Sequence, residues 1–186
     1  MNNIIYLEEL KKIKYWFNEF PMLKLKNYEK HIFSIVKNTN FEPKNKEINF
    51  SLELFIPQNA SNYGLLGVEY KYSKEDKLYI EIEYTLENET CYKSELLSNS
   101  LNEYTYSGIN VEYLNSIMKS INDNINNYNI KGNLKINLGA NCELGSSNKV
   151  FYYLTQKLLY ILANLIEKEE ISKEIIEDLI SKSFKN

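Results

Sequence analysis

Ile48-Asn49-Phe50-Ser51-Leu52-Glu53-Leu54-Phe55-Ile56 is the stretch whose reading sets the fold. Ile48, Phe50, Leu52, Leu54 and Ile56 alternate with Asn49, Ser51 and Glu53. That period of two predicts a half-buried strand. Pro57 and the polar run 58–62 end it. The same alternation returns in 66–72, where Leu66, Val68, Tyr70 and Tyr72 share a face, and in 78–86, where Leu78, Ile80, Ile82, Tyr84 and Leu86 do. Ser73-Lys74-Glu75-Asp76 lies between these two as a turn, so a hairpin is expected. Glu81 and Glu83 fall on the outward face, the usual pattern of an antiparallel sheet with one side in solvent.

Downstream, the period changes. A strand is expected within 101–107, where Tyr104 and Tyr106 share a face, and 88–100 reads as neither helix nor strand. Asn110 reads as an N-cap, and Val111, Leu114, Met118, Ile121 and Ile125 form one stripe of a helix to about 127. Leu134, Ile136 and Leu138 predict a short strand, and 139–145 a loop. Ser146 or Ser147 caps a helix carrying Val150, Phe151, Leu154, Leu158, Ile161, Leu162 and Leu165. Ser172 caps a last helix with Ile175, Ile176, Leu179 and Ile180. Several strands, a helix, a strand and a helix make an α+β two-layer sandwich with a mostly antiparallel sheet. Its strand–helix–strand passage is ordinarily a right-handed crossover.

Upstream, residues 4–20 read as an amphipathic helix, with Leu7, Leu10, Ile13 and Phe17 at three- and four-residue spacing and Pro21 as the stop. A shorter helical pattern, Ile32, Ile35 and Val36, runs through 27–37, and 38–46 reads as a linker. The expected organisation is an N-terminal helical segment, 1–46, followed by an α+β domain, 47–186.

Composition narrows the chemistry. The chain has 186 residues, 22 basic and 25 acidic, for a net charge of −3, and every basic residue is Lys. Without Arg it lacks the planar fork that grips phosphates and guanine edges, and Lys and Glu are interleaved rather than gathered into a basic stripe. No sequence-specific nucleic-acid binding is expected. The single histidine, His31, and the two distant cysteines, Cys91 and Cys142, do not assemble a zinc set, so neither metal nor cofactor is expected. A mean hydropathy of −0.44 and the absence of a run of roughly 20 apolar residues argue against a membrane span. Two thiols and no export signal at the start of the sequence suit a reducing, cytoplasmic setting.

The second half carries a family likeness. Glu112-Tyr113-Leu114 at the head of the crossover helix, Leu134-Lys135-Ile136-Asn137-Leu138-Gly139, then Cys142-Glu143-Leu144-Gly145-Ser146-Ser147 with Phe151 four residues on, and Tyr63-Gly64 upstream, together resemble domain IV of translation elongation factor G. That domain has the fold of the second domain of ribosomal protein S5. The resemblance spans roughly 55–155. It implies the family's left-handed crossover, against the general rule, and a place near the ribosomal decoding region. The chain departs from the pattern at Gly145, where the family has Asp, and at the neutral stretch 59–62, where the family has a basic, Gly-rich loop. Extra strand material lies at 77–100. No G-x-x-x-x-G-K-[ST] occurs, so the chain is not a self-contained GTPase of that class.

Catalytic sets are missing. Ser146 and Ser147 have no histidine nearby and no nucleophile elbow, so helix capping accounts for them. Glu81 and Glu83 share a strand face as an acid/base pair would, and as a solvated face would. Cys142 precedes a helix N-terminus, which lowers a thiol pKa; it also suits a small packed position. The cluster Trp16, Phe17 and Phe20 reads as core or as a docking patch. The expectation is a non-enzymatic cytosolic interaction module. It would be an acidic partner that masks a basic protein by charge, as immunity or antitoxin-type proteins do, with Trp16, Phe20, Tyr79, Glu81, Glu83, Cys142 and Glu143 as contacts. A ribosome- or translation-associated module is the alternative.

Overall fold

The computed structural model describes residues 3–7, 11–23, 27–37, 40–57, 62–88, 90–97 and 104–184. Eight strands, β1 (Ile4–Tyr6), β2 (Lys12–Phe17), β3 (Glu29–Val36), β4 (Glu47–Ile56), β5 (Asn62–Lys71), β6 (Lys77–Tyr84), β7 (Thr105–Ser107) and β8 (Gly132–Cys142), join in one sheet. The order across it is β1-β2-β4-β5-β8-β6-β3, with β7 paired to the far half of β8. All pairings are antiparallel except β6 with β8, which are parallel and linked through helix α1 (Val111–Asn124). Helices α2 (Asn148–Glu167) and α3 (Lys173–Phe184) follow β8.

The alternation in β4 has the predicted consequence. Ile48, Phe50, Leu52 and Leu54 lose nearly all exposure against the helices and share one core with Leu66, Val68, Ile80 and Ile82 from the neighbouring strands. Phe151, Leu154 and Leu158 of α2 and Ile117 and Ile121 of α1 close that core from above, and Tyr113 stacks on Phe151 with ring centroids 4.2 Å apart. Asn110 caps α1 by accepting from Glu112 N, and Ser147 caps α2 by accepting from Val150 N. The molecule is therefore the α+β sandwich expected, a large sheet covered by three helices on one side.

The N-terminal segment corrects the sequence reading. It forms β1, β2 and β3, not helices. Leu7, Ile13 and Phe17 do recur at helical spacing, but Ile13 and Tyr15 also alternate with Lys12 and Lys14. The β-branched and aromatic content of Lys12–Phe17 favours the pleated form once β4 offers an edge; Leu10, the fourth member of the helical stripe, lies outside the described residues. In β3, His31, Phe33 and Ile35 turn to the core while Lys30, Ile32, Ser34 and Val36 turn away. The segment supplies both edges of the sheet, β1-β2 beside β4 and β3 beside β6. The strand expected at 134–138 is also longer than its apolar alternation: β8 continues through Gly139 to Cys142, with a bulge opposite Gly67/Val68 that resets the face on which its side chains lie.

Candidate protein-docking site

The sheet face turned away from the helices has two unlike halves. In one half Tyr79 and Glu81 of β6 stand with Glu69, Lys71, Asn133 and Lys135 from β5 and β8, and with Lys30 from β3. The Lys30 amine lies 2.7 Å from Glu81 Oε1 and 3.4 Å from Glu83 Oε1, and the Lys135 amine lies 2.9 Å from Glu83 Oε1. The hydrogen bond from Lys30 holds the Glu81 carboxyl below its ordinary pKa. Glu81 and Glu83 are thus a lysine-matched pair. Tyr79 donates to Glu75 at 2.8 Å, and Lys71 pairs with Glu47 at 2.9 Å. A shallow depression of about 430 Å³ lies here between Glu47, Asn49, Glu69, Lys71, Asn133 and Lys135. Its charges are balanced within the molecule.

In the other half the face is covered. Trp16, Tyr63, Leu65, Ala140 and Cys142 form a second, smaller core beneath Tyr92 and Leu97 of the segment that follows β6. Trp16 keeps only 9% of its surface and Cys142 none, so both serve packing here. Lys14 lies 5.0 Å over the Trp16 ring and pairs with Glu95 at 2.9 Å. Phe20 is half-buried beyond the end of β2. Glu53, fully buried in this layer, accepts from the Tyr63 hydroxyl at 2.7 Å. Burial pushes its carboxyl pKa up, and hydrogen bonds from Ser94 and Tyr63 oppose the shift in part.

Glu143 belongs to a third place, the end of the molecule where β6 and β8 stop, where β7 starts opposite the last residues of β8, and where α1 and α2 begin. Asn88 Oδ1 accepts from both Asn110 Nδ2 (3.2 Å) and Asn141 Nδ2 (3.3 Å), which ties the segment after β6 to the α1 cap and to β8. Val111 N donates to Thr85 O at 2.8 Å, and Glu143 N donates to Tyr104 O at 3.3 Å. Ser146 Oγ donates to Tyr63 O and accepts from Cys142 N, both at 2.8 Å, fixing the loop that presents Glu143 and Leu144.

On this frame Leu86 is 62% exposed, Tyr104 65% and Leu144 80%. Glu87, Glu112 and Glu143 are exposed on the same tied segments, next in sequence to Leu86, to the α1 cap and to Leu144, and no ion pair to a lysine is formed by any of the three among the described residues. Unmatched carboxylates beside large exposed apolar groups contrast with the matched charges of the open sheet half. The arrangement suits a partner that brings cations and an apolar surface together.

Sequence reasoning reached Glu143 alone at this end. Nothing local in the sequence joins Leu86, Glu87, Tyr104, Glu112 and Leu144 to it, because that depends on β7 docking on β8 and on the Asn88 tether. Among the described residues no group of three or more His, Cys, Asp or Glu side chains is placed to hold a metal. His31 lies at the border of the main core, 5.7 Å from the Phe33 ring. No helix among them is long and apolar enough to cross a membrane. Compared with known families, curated proteins and solved structures, the chain matches none.

Proposed function

We propose that the chain is a non-enzymatic protein-interaction module that binds a basic protein through the end of the molecule bearing Leu86, Glu87, Tyr104, Glu112, Glu143 and Leu144. The observation that carries this reading is the set of three carboxylates without lysine partners, set among three large side chains more than 60% exposed. Apolar contact supplies affinity at the centre of such an interface, and the carboxylates supply steering and selection against acidic competitors. The cytosol is the proposed setting, where the exposed thiol of Cys91 stays reduced. The chain would act by occupying its partner's basic surface.

The test is affinity capture of the tagged full chain from a lysate of its native cell, at low and then moderate salt, with three baits. The wild type is expected to retain one basic protein in stoichiometric amount and to lose it as salt rises. Glu87→Lys/Glu143→Lys is expected to retain none. Glu47→Lys, at the opposite end of the sheet, is expected to behave as the wild type. Equal retention by all three baits would contradict the reading.

A second reading is a ribosome-associated module. It is supported by the passage β4, β5, β6, the short β7, α1, β8 and α2, in which β8 returns parallel to β6, since the elongation-factor likeness lies within that stretch. A shared fold carries function only weakly, and exposed Glu87, Glu112 and Glu143 would repel rRNA phosphates. Cosedimentation with ribosomes at low salt separates the two readings, and absence from ribosomal fractions removes this one.

A further inference from the structure

The two edges of the sheet are finished differently. β1, at one edge, has three residues, a short end of the kind that blunts an edge. β3, at the other, has eight and pairs only with β6 among the described residues. Lys37 N donates to Asp76 O at 2.9 Å, continuing the β3–β6 register. Antiparallel residues alternate between bonding the neighbouring strand and facing away from it. The odd-numbered residues therefore address β6, while Lys30, Ile32, Ser34 and Val36 direct their N–H and C=O groups to the free edge.

Ile32 and Val36 are also 63% and 65% exposed. From Ile32 to Val36 there is no charge, proline or bulge, the usual devices that keep an edge from pairing. Lys30, before this stretch, is drawn back onto Glu81 and Glu83, and Lys37, after it, turns its amine to Ile125 O and Tyr128 O.

We propose that two copies of the chain associate through β3, edge to edge and antiparallel, about a two-fold axis at Ser34. In that register Ile32 meets Val36 of the partner subunit on the helix-free face, and Phe33 meets Ile35 of the partner subunit on the core face. Four apolar pairs then flank the axis, because the contact is isologous and each pair occurs twice. Both large apolar side chains that β3 leaves exposed are covered by the same act that satisfies its free backbone groups. A foreign strand would need this alternation by coincidence; a second copy has it by identity. The eight-stranded sheet continues across the axis as one of sixteen strands. The acidic–apolar end, at the termini of β7 and β8, takes no part in the contact.

Sedimentation velocity of the full chain over a range of concentrations tests the association. A species of twice 22.0 kDa is expected. Ile32→Lys should return it to the monomer mass with circular dichroism and melting unchanged, since the position is exposed in the monomer. The register is tested in a Cys91→Ser background. Ser34→Cys should form a disulfide-linked dimer under mild oxidation, because directly opposed bonded residues have Cα atoms about 5.5 Å apart, within the span of roughly 4.4–6.8 Å that a disulfide bridges. Glu29→Cys should not, since its two copies would lie about 30 Å apart at roughly 3.3 Å per residue. A wild type that stays monomeric at every concentration overturns the proposal. So does a dimer that survives Ile32→Lys, or one linked by Glu29→Cys in preference to Ser34→Cys.

Discussion

Glu53 reads in the sequence as one more polar residue on the outward side of an alternating strand, yet it has no exposed surface. The alternation correctly put it on the face away from the helices; the covering segment with Tyr92, Ser94 and Leu97 then buried it. Tyr63 donates to it, so Tyr63→Phe leaves a buried carboxylate short of a donor and should cost about 1–3 kcal/mol in denaturant unfolding. Burial raises the Glu53 pKa in the folded chain, so the fold binds that proton more tightly than the unfolded chain does. Its contribution is most favourable below the ordinary carboxylate value, roughly pH 4, and is lost as pH rises through the raised folded value. Glu53→Gln keeps an acceptor for Tyr63 and removes the charge. It should melt above the wild type at neutral pH and converge with it towards pH 4 in a thermal series. Gly132 gives a purely steric case. Its φ is +114°, and a Cβ there would meet Lys71 O at 2.4 Å, so Gly132→Ala should lose about 1–3 kcal/mol by the same unfolding measurement.

Elements with one consistent period were legible. β4, β5 and β6 carry clean alternation, and α1 and α2 carry both a stripe and a cap, so their existence and type followed from the sequence; the hairpin expected of β5 and β6 does not form, because β8 enters between them and pairs with both. β2 and β3 carry patterns that fit two periods, and the choice was made by partners distant in sequence: β4 for β2, β6 for β3. Lys37 belongs to the same lesson. At the end of β3 it is 8% exposed, and its amine donates to Ile125 O at 2.6 Å and Tyr128 O at 3.2 Å, closing the carbonyl end of α1. No local pattern announces a lysine that caps a helix 88 residues away. Lys37→Met should cost about 1–3 kcal/mol through the orphaned carbonyls. Ser147→Ala, the loss of the α2 cap, should cost about 1 kcal/mol. Both are read from the midpoint of a denaturant melt.

At the scale of the molecule, the N-terminal segment divides between the two sheet edges, so strand pairs far apart in sequence hold the fold together. The candidate site is a product of that assembly. Glu143 could be named from the sequence because it sits in a loop before a helix. Leu86, Glu87, Tyr104 and Glu112 join it only when Asn88 bonds Asn110 and Asn141 and when β7 docks on β8. Tyr79, Glu81 and Glu83, chosen for their shared face, lie elsewhere with their charges matched by Lys30 and Lys135. The most direct test of the central claim is the affinity of the captured basic partner for the wild type and for Glu87→Gln/Glu143→Gln, each measured at low and moderate salt. The account predicts weaker binding by the variant at low salt and a shallower salt dependence, with the two affinities converging as salt rises. Equal affinities with equal salt slopes would place the partner on another surface and contradict it.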